Sequence, residues 1–150
     1  MGSLRIEALT PENVEDLVDL LANVDGTHFA HTSRDAAAGF LAAASDIHVL
    51  GRAGQLGVAF GMLRGWQEGY EVPSLGIAVR TGYEGRGFGM AMMAELEHLA
   101  RERGAASVRL RVHPDNQRAI ALYTRCGYEG AGLERGELLM VLQLDRRKPA

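Results

Sequence analysis

The chain is poor in the features that would assign its class at once. It has one cysteine, Cys126, in 150 residues. That excludes an intrachain disulfide and a multi-cysteine zinc site. No apolar run approaches the ~18 residues of a membrane span, so no membrane partner is expected. The N-terminal residues lack the apolar core of a signal peptide. Ile6 stands where a myristoylation motif needs Ser or Thr. Basic charge is not in excess: the formal net charge is −3, which argues against nucleic acid as a partner. His28 and His31 are close in sequence, but no cysteine or carboxylate cluster completes a ligand set, so no metal is expected. There is no internal repeat and no low-complexity linker. These absences point to a cytoplasmic protein folded as one domain over residues 1–150.

What is present is a series of short periodic segments. Residues 4–8 alternate as a strand does. Thr10-Pro11 suits a helix start, and Val14, Leu17, Val18 and Leu21 follow at helical spacing. A second, alanine-rich helix is predicted over Asp35–Ala44. Residues 47–50 and 56–63 read as a hairpin with its turn at Ala53-Gly54. In the second strand Leu56, Val58, Phe60 and Met62 fall on one face by simple alternation. Gly57, Ala59 and Gly61 then form a small-residue face, open to a packed helix or to a ligand. Residues 75–79 form the next strand.

The chain then turns through Gly85-Arg86-Gly87-Phe88-Gly89 and opens a helix running to Arg103, with Glu97 and Arg101 expected to pair on its outer side. Strand, glycine turn and helix together make an anion cradle. Glycine lets the backbone come close, and the first helical turn has unpaired N–H groups at the positive end of its dipole. Residues 107–113 are a strand with Val108, Leu110 and Val112 on one face and Arg109, Arg111 and His113 on the other. Pro114 ends it, Asp115 can cap a helix from Asn116 to Arg125, and Cys126-Gly127 stops that helix. A short extended piece at 128–132 and a strand at 137–144 follow, then a polar tail at 146–150. Hairpins mixed with crossovers imply a mixed sheet.

Two motifs in this order carry a resemblance. One is the strand–Gly-Arg-Gly-Phe-Gly–helix at 75–103. The other is His113-Pro-Asp-Asn116-Gln-Arg-Ala119-Ile120-Ala-Leu122-Tyr123-Thr-Arg-Cys-Gly127-Tyr128. Together they resemble the GCN5-related N-acetyltransferases, the GNAT superfamily. A P-loop is excluded because no Lys-Ser/Thr pair follows the glycines. A Rossmann fingerprint is excluded because Met90 stands where its last glycine belongs.

The resemblance implies an α/β (α+β) fold, with a mixed, mostly antiparallel sheet of six to seven strands flanked by about four helices. It implies acetyl-CoA as co-substrate and an amine of a small molecule or peptide as acceptor. Ile77, Ala78 and Val79 would pair with the pantetheine arm. The turn Gly85, Arg86, Gly87, Phe88 and Gly89, with Met90 in the first helical turn, would hold the pyrophosphate. Asn116 would touch the cofactor, and Tyr123 would be the general acid to the CoA thiolate. The family's phosphate motif has Arg or Gln where this chain has Glu84, so the backbone is expected to carry the site.

The base is left to two weak candidates, Glu71 and His113. Arg109 and Arg111 would favour an anionic acceptor, or would pair with carboxylates of a neighbouring element. Two further readings share the fold. One is an acyl-CoA-binding sensor without turnover. The other is a transferase for a longer acyl chain seated beside Gly57, Ala59 and Gly61. An exposed edge strand or the final strand is a surface on which a homodimer could form.

Overall fold

The computed structural model describes residues 3–24 and 33–144. Its elements, in chain order, are β1 (Arg5–Ala8), α1 (Val14–Leu21), α2 (Ser33–Ala42), β2 (Ile47–Ala53), β3 (Leu56–Arg64), β4 (Ser74–Val79), α3 (Phe88–Glu102), β5 (Ser107–Val112), α4 (Gln117–Arg125), β6 (Glu129–Glu134) and β7 (Glu137–Gln143). The strands form one sheet in the order β1-β2-β3-β4-β5-β7-β6. Among the described residues only the β4–β5 pair is parallel, as a strand–helix–strand crossover through α3 requires. The mixed, mostly antiparallel sheet is therefore as expected, and the extended piece after Gly127 is a full strand, β6.

Helices cover both faces. Leu17, Leu20 and Leu21 of α1 bury against Leu50 and Phe60. On the other face Met92, Met93, Leu96 and Ala100 of α3 pack on Val49, Ala59, Val108 and Leu110. Fully burying a side chain such as Leu96 contributes roughly 2 kcal/mol. Gly61 lets α3 settle this close, because a Cβ there would come within 2.9 Å of Leu96 Cδ1. The small-residue face of β3 is thus spent on packing, which removes the room proposed there for a longer acyl chain. The groups that Gly57 nearly touches belong to Leu50 and to Asp16 of α1.

Four local expectations fail for identifiable reasons. In β3 the alternation breaks at a bulge: Gly51 pairs with Ala59, whereas Arg52 pairs with Gly57. Val58 is the extra residue. It joins the α3 cluster, while Phe60 joins the α1 cluster. Helix α1 opens at Val14, not at Thr10-Pro11. Thr10 instead holds a preceding turn, its Oγ1 accepting from the Glu12 N–H at 3.2 Å, while Asn13 Oδ1 accepts from the Thr10 N–H at 2.8 Å. Asn116, not Asp115, caps α4, its Oδ1 accepting from the Ala119 N–H at 3.1 Å.

Glu97 does not lie outside beside Arg101. It is half-buried, with Oε2 enclosed and unpaired. Along this helix the ion pair at i,i+4 is His98–Glu102, at 3.3 Å. The expectations for Asp25-Gly26, His28, Phe29, His31 and the tail at 146–150 lie outside the described residues.

Candidate functional site

The site begins where the sheet comes apart. β4 and β5 pair only at Ser74 and Arg109, where the Arg109 N–H donates to the Pro73 carbonyl at 3.0 Å. Beyond that pair the strands diverge. The Arg80 N–H is bonded to Val58 of β3 at 2.7 Å. Alternation along a strand then turns the N–H and C=O groups of Ile77 and Val79 the other way, into the gap. They are main-chain groups available to an extended ligand.

The turn after β4 delivers the chain to the start of α3. Gly85 and Gly87 have φ of 77° and 86°, the left-handed region that an L side chain enters only at a cost. Gly87 is the N-cap of the fifteen-residue helix α3, without a side-chain cap and without an acidic residue in the first turn. The first N–H groups of α3 are therefore open to an anion. A cleft of about 580 Å³ lies here, lined by Ile77, Val79, Tyr83, Glu84, Gly85, Gly87, Gly89 and Met90 from the strand and turn. The opposite wall is one face of α4: Arg118, Ala121, Leu122 and Arg125.

That wall was not anticipated. Its signal is the i, i+3, i+4, i+7 spacing from Arg118, which places two guanidiniums beside the glycine turn. The carboxylate of Glu84 is folded onto its own turn, accepting from the Gly82 N–H at 2.9 Å. Its own backbone N–H, then that of Gly82, hold its pKa below the ordinary carboxylate value.

Several predicted residues stand elsewhere. Arg86 stacks over the Tyr83 ring, 4.6 Å from its centroid, and is not on the cleft wall. Phe88 is buried in the core. Ala78 alternates with Ile77 and Val79 and faces the other side of the sheet. The side-chain oxygen of Asn116 is taken by its capping bond.

Tyr123 is buried, its ring 6.1 Å from that of Tyr128. Its hydroxyl makes no hydrogen bond among the described residues. Burial, then Cys126, raises the Tyr123 pKa, so the phenol stays protonated and keeps its proton to give. Behind it Tyr128 is enclosed with its hydroxyl unpaired, and burial followed by Glu97 drives its pKa up. Burial also raises Glu97 and the Cys126 thiol. Cys126 Sγ lies 3.6 Å from Met90 Sδ.

A second cleft, of about 590 Å³, opens on the opposite face of the sheet. Its floor is Ser74 of β4 with Arg109 and Arg111 of β5, and its rim carries Arg64, Glu68, Tyr70, Glu71, Glu134 and Arg135. Ser74 and Ile77 belong to one strand, three residues or ~10 Å apart, so the two clefts approach each other through the gap. Glu71 therefore stands at the second cleft. His113 lines neither cleft; it is exposed, with Nδ1 accepting from the Asp115 N–H at 3.2 Å. Arg109 donates to Glu134, the neighbouring-element pairing expected as one alternative. Among the described residues no three His, Cys, Asp or Glu side chains stand together as metal ligands. No helix among them is long and apolar enough to cross a membrane.

Known proteins share this fold. The family model described as acetyltransferase (GNAT) family matches residues 7–128. Over 66 residues the chain is 41% identical to the N-alpha-acetyltransferase RimI of Mycobacterium tuberculosis, covering 44% of this chain and 39% of that protein. An acetyltransferase of Yersinia pestis is 30% identical over 73 residues, 49% of this chain and 52% of that one. The matches thus span about half or less of each of these curated relatives. Among solved structures, the PaiA N-acetyltransferase of Thermoplasma acidophilum in complex with coenzyme A superposes with a TM-score of 0.80 at 16% identity, covering 94% of this chain and 99% of that one. The ribosomal-protein-S18-alanine N-acetyltransferase of Escherichia coli gives 0.80 at 19% identity, with 97% of both chains covered. At these identities the structural matches speak for the fold.

Proposed function

The chain belongs to the acetyltransferase (GNAT) family, and we propose that it moves an acetyl group from acetyl-CoA to a primary amine. The observation that carries this reading is the parting of β4 from β5, with a main-chain anion cradle at one end and a charged cleft across the gap. The residues fit a CoA thioester. The open N–H groups of Gly87–Met90, with Arg118 and Arg125 beside them, suit a pyrophosphate. The free backbone of Ile77 and Val79 suits the amide-bearing arm, and an N–H there can hydrogen-bond the carbonyl oxygen as it gains charge.

In the transfer the amine nitrogen bonds to the carbonyl carbon and the carbon–sulfur bond breaks. The nitrogen loses a proton and the sulfur gains one. Tyr123 is assigned as the donor to sulfur: its proton is held and its hydroxyl has no competing partner among the described residues. Glu71, in the second cleft, is assigned to receive the amine's proton, directly or through water.

Calorimetric titration with acetyl-CoA, followed by an amine screen that reads thiol release, tests the proposal. Saturable binding and turnover are expected. Failure to bind any CoA thioester removes the whole reading. The burial of Tyr123 in the core gives weight to a second reading, an acyl-CoA sensor. Binding without turnover across a broad amine panel would select it.

A further inference from the structure

The second cleft holds an imbalance that the transfer reaction does not explain. Four arginines and three glutamates line it, and their pairing is incomplete. Arg109 is satisfied by Glu134. Arg111 reaches the same carboxylate only at 3.8 Å, and Glu137 at 3.9 Å. Both separations exceed hydrogen-bonding distance. Its side chain is only 30% exposed, and its guanidinium makes no hydrogen bond among the described residues. An arginine has five N–H donors in a planar fork. None of those donors is spent on a hydrogen bond to the described residues, so they stand available to a ligand. Arg64 and Arg135 add positive charge at the rim without carboxylate partners among the described residues, while Glu68 and Glu71 stand in the same cleft unpaired. Unpaired charges of both signs in one cleft suit a ligand that carries both.

Register places the positive element close to the reaction. The parallel pair aligns Arg109 with Ser74, so Arg111, two residues on, is level with Gly76, next to Ile77. An anion held by Arg111 therefore sits at the same level of the sheet as the gap where the acetyl carbon would lie. Arg111 shares Glu134 with Arg109 and meets Glu137 only at 3.9 Å, so its planar fork is free to take a carboxylate on two N–H groups.

Resting on the transferase reading, we infer that the acceptor is a small amino acid-like amine carrying a carboxylate, and that Arg111 is the residue that selects for it. Arg111 binds the carboxylate in bidentate fashion. Glu68 and Glu71 draw the ammonium end into the cleft. The amine and the carboxylate are a few bonds apart, because Arg111 and the gap share one level of the sheet.

The test compares matched amines on the full chain with saturating acetyl-CoA: amino acids against their own amides, and γ-aminobutyrate against n-butylamine. The carboxylated member of each pair should have kcat/KM higher by about tenfold or more, the size expected for a charge-assisted bidentate contact. In Arg111→Gln that preference should fall below about threefold, chiefly through KM, and Arg111→Lys should restore part of it. A preference for the neutral amine, or a ratio unmoved by Arg111→Gln, overturns the inference.

Failure of the transferase reading is seen separately, as no thiol release from any amine. Calorimetry of γ-aminobutyrate against the CoA-loaded protein then decides: Arg111-dependent binding upholds the inference, and no binding ends it. Unchanged acetyl-CoA affinity in the variants confirms that they fold.

Discussion

The two clefts on either side of the sheet are built from different material. The one beside the glycine turn offers main chain on one side, the backbone of Ile77 and Val79 and the N–H groups that Gly85 to Gly89 and the start of α3 present, against a side-chain wall on α4. The one across the gap is side chain: arginines and glutamates from β3, β5, β6 and the turns before β4 and after β6. A main-chain site needs certain φ values and an absence of side chains, so it constrains sequence tightly. A side-chain site needs only that some charges converge, and many sequences supply those. The first cleft should therefore tolerate few changes at its glycines and many elsewhere. The second should change its preference with single charge substitutions.

The largest effect is expected at Tyr123, which lines neither cleft but lies on α4, the helix that walls the first. Tyr123→Phe keeps the ring packed on Tyr128 and removes only the hydroxyl. Turnover should fall by about a hundredfold, within the range for a lost general acid. Rates within about threefold of wild type at every pH would assign the proton elsewhere. The next tests the main-chain claim. Gly87→Ala meets no steric obstacle, since nothing lies within 4 Å of a Cβ there, but its φ of 86° is unfavourable for alanine. The strain is about 1–2 kcal/mol, and acetyl-CoA should bind about tenfold more weakly as the cradle relaxes. Arg118→Gln and Arg125→Gln should each cost less. If either costs more than Gly87→Ala, the cleft is a side-chain site after all.

This contrast also explains what could be read from the residues in order. The turn, the strand before it and the helix after it were legible because glycine at 85, 87 and 89 following an apolar strand has few other uses. The wall of α4 was missed although its spacing was visible, because Arg118 and Arg125 look like ordinary surface arginines until a partner element faces them. The bulge at Val58 was illegible for a similar reason. Only the pairing of β2 with β3 shows that Gly51 and Arg52 are out of step with it. Glu97 looked like half of an exposed ion pair, since spacing along α3 says nothing about Cys126 and Tyr128 closing over it. The arginines of β5 were seen on one face, but which of them is spent on a carboxylate depends on where β6 returns.

Glu97 offers a test of how tightly the region behind the first cleft is closed. Burial raises its pKa above the ordinary value of 4.5, so the folded state holds that proton more firmly than the unfolded chain does. Stability is then unpenalised below about pH 4.5 and declines as pH rises through the folded pKa, where the charged form must be accommodated. Glu97→Gln removes this ionisation. Thermal unfolding from pH 4 to pH 8 should show the variant losing less stability than wild type toward high pH. A wild-type curve that instead rises relative to the variant would mean that the carboxylate is charged and paired in solution.

The smallest expected effect bears most directly on how the first cleft is made. Glu84 places a carboxylate on the turn that should hold a pyrophosphate, yet that carboxylate already occupies the Gly82 N–H. If the backbone carries the site, Glu84 contributes only a screened repulsion. Glu84→Gln keeps the acceptor oxygen for Gly82 and removes the charge. Acetyl-CoA should bind about two- to threefold more tightly at low salt, and the gain should vanish near 1 M ionic strength, where the Debye length is about 3 Å. A larger gain that persists at high salt would show Glu84 to be a direct competitor for the phosphate N–H groups rather than a distant charge. The side chain at position 84 would then set how tightly the backbone of the turn holds the phosphate.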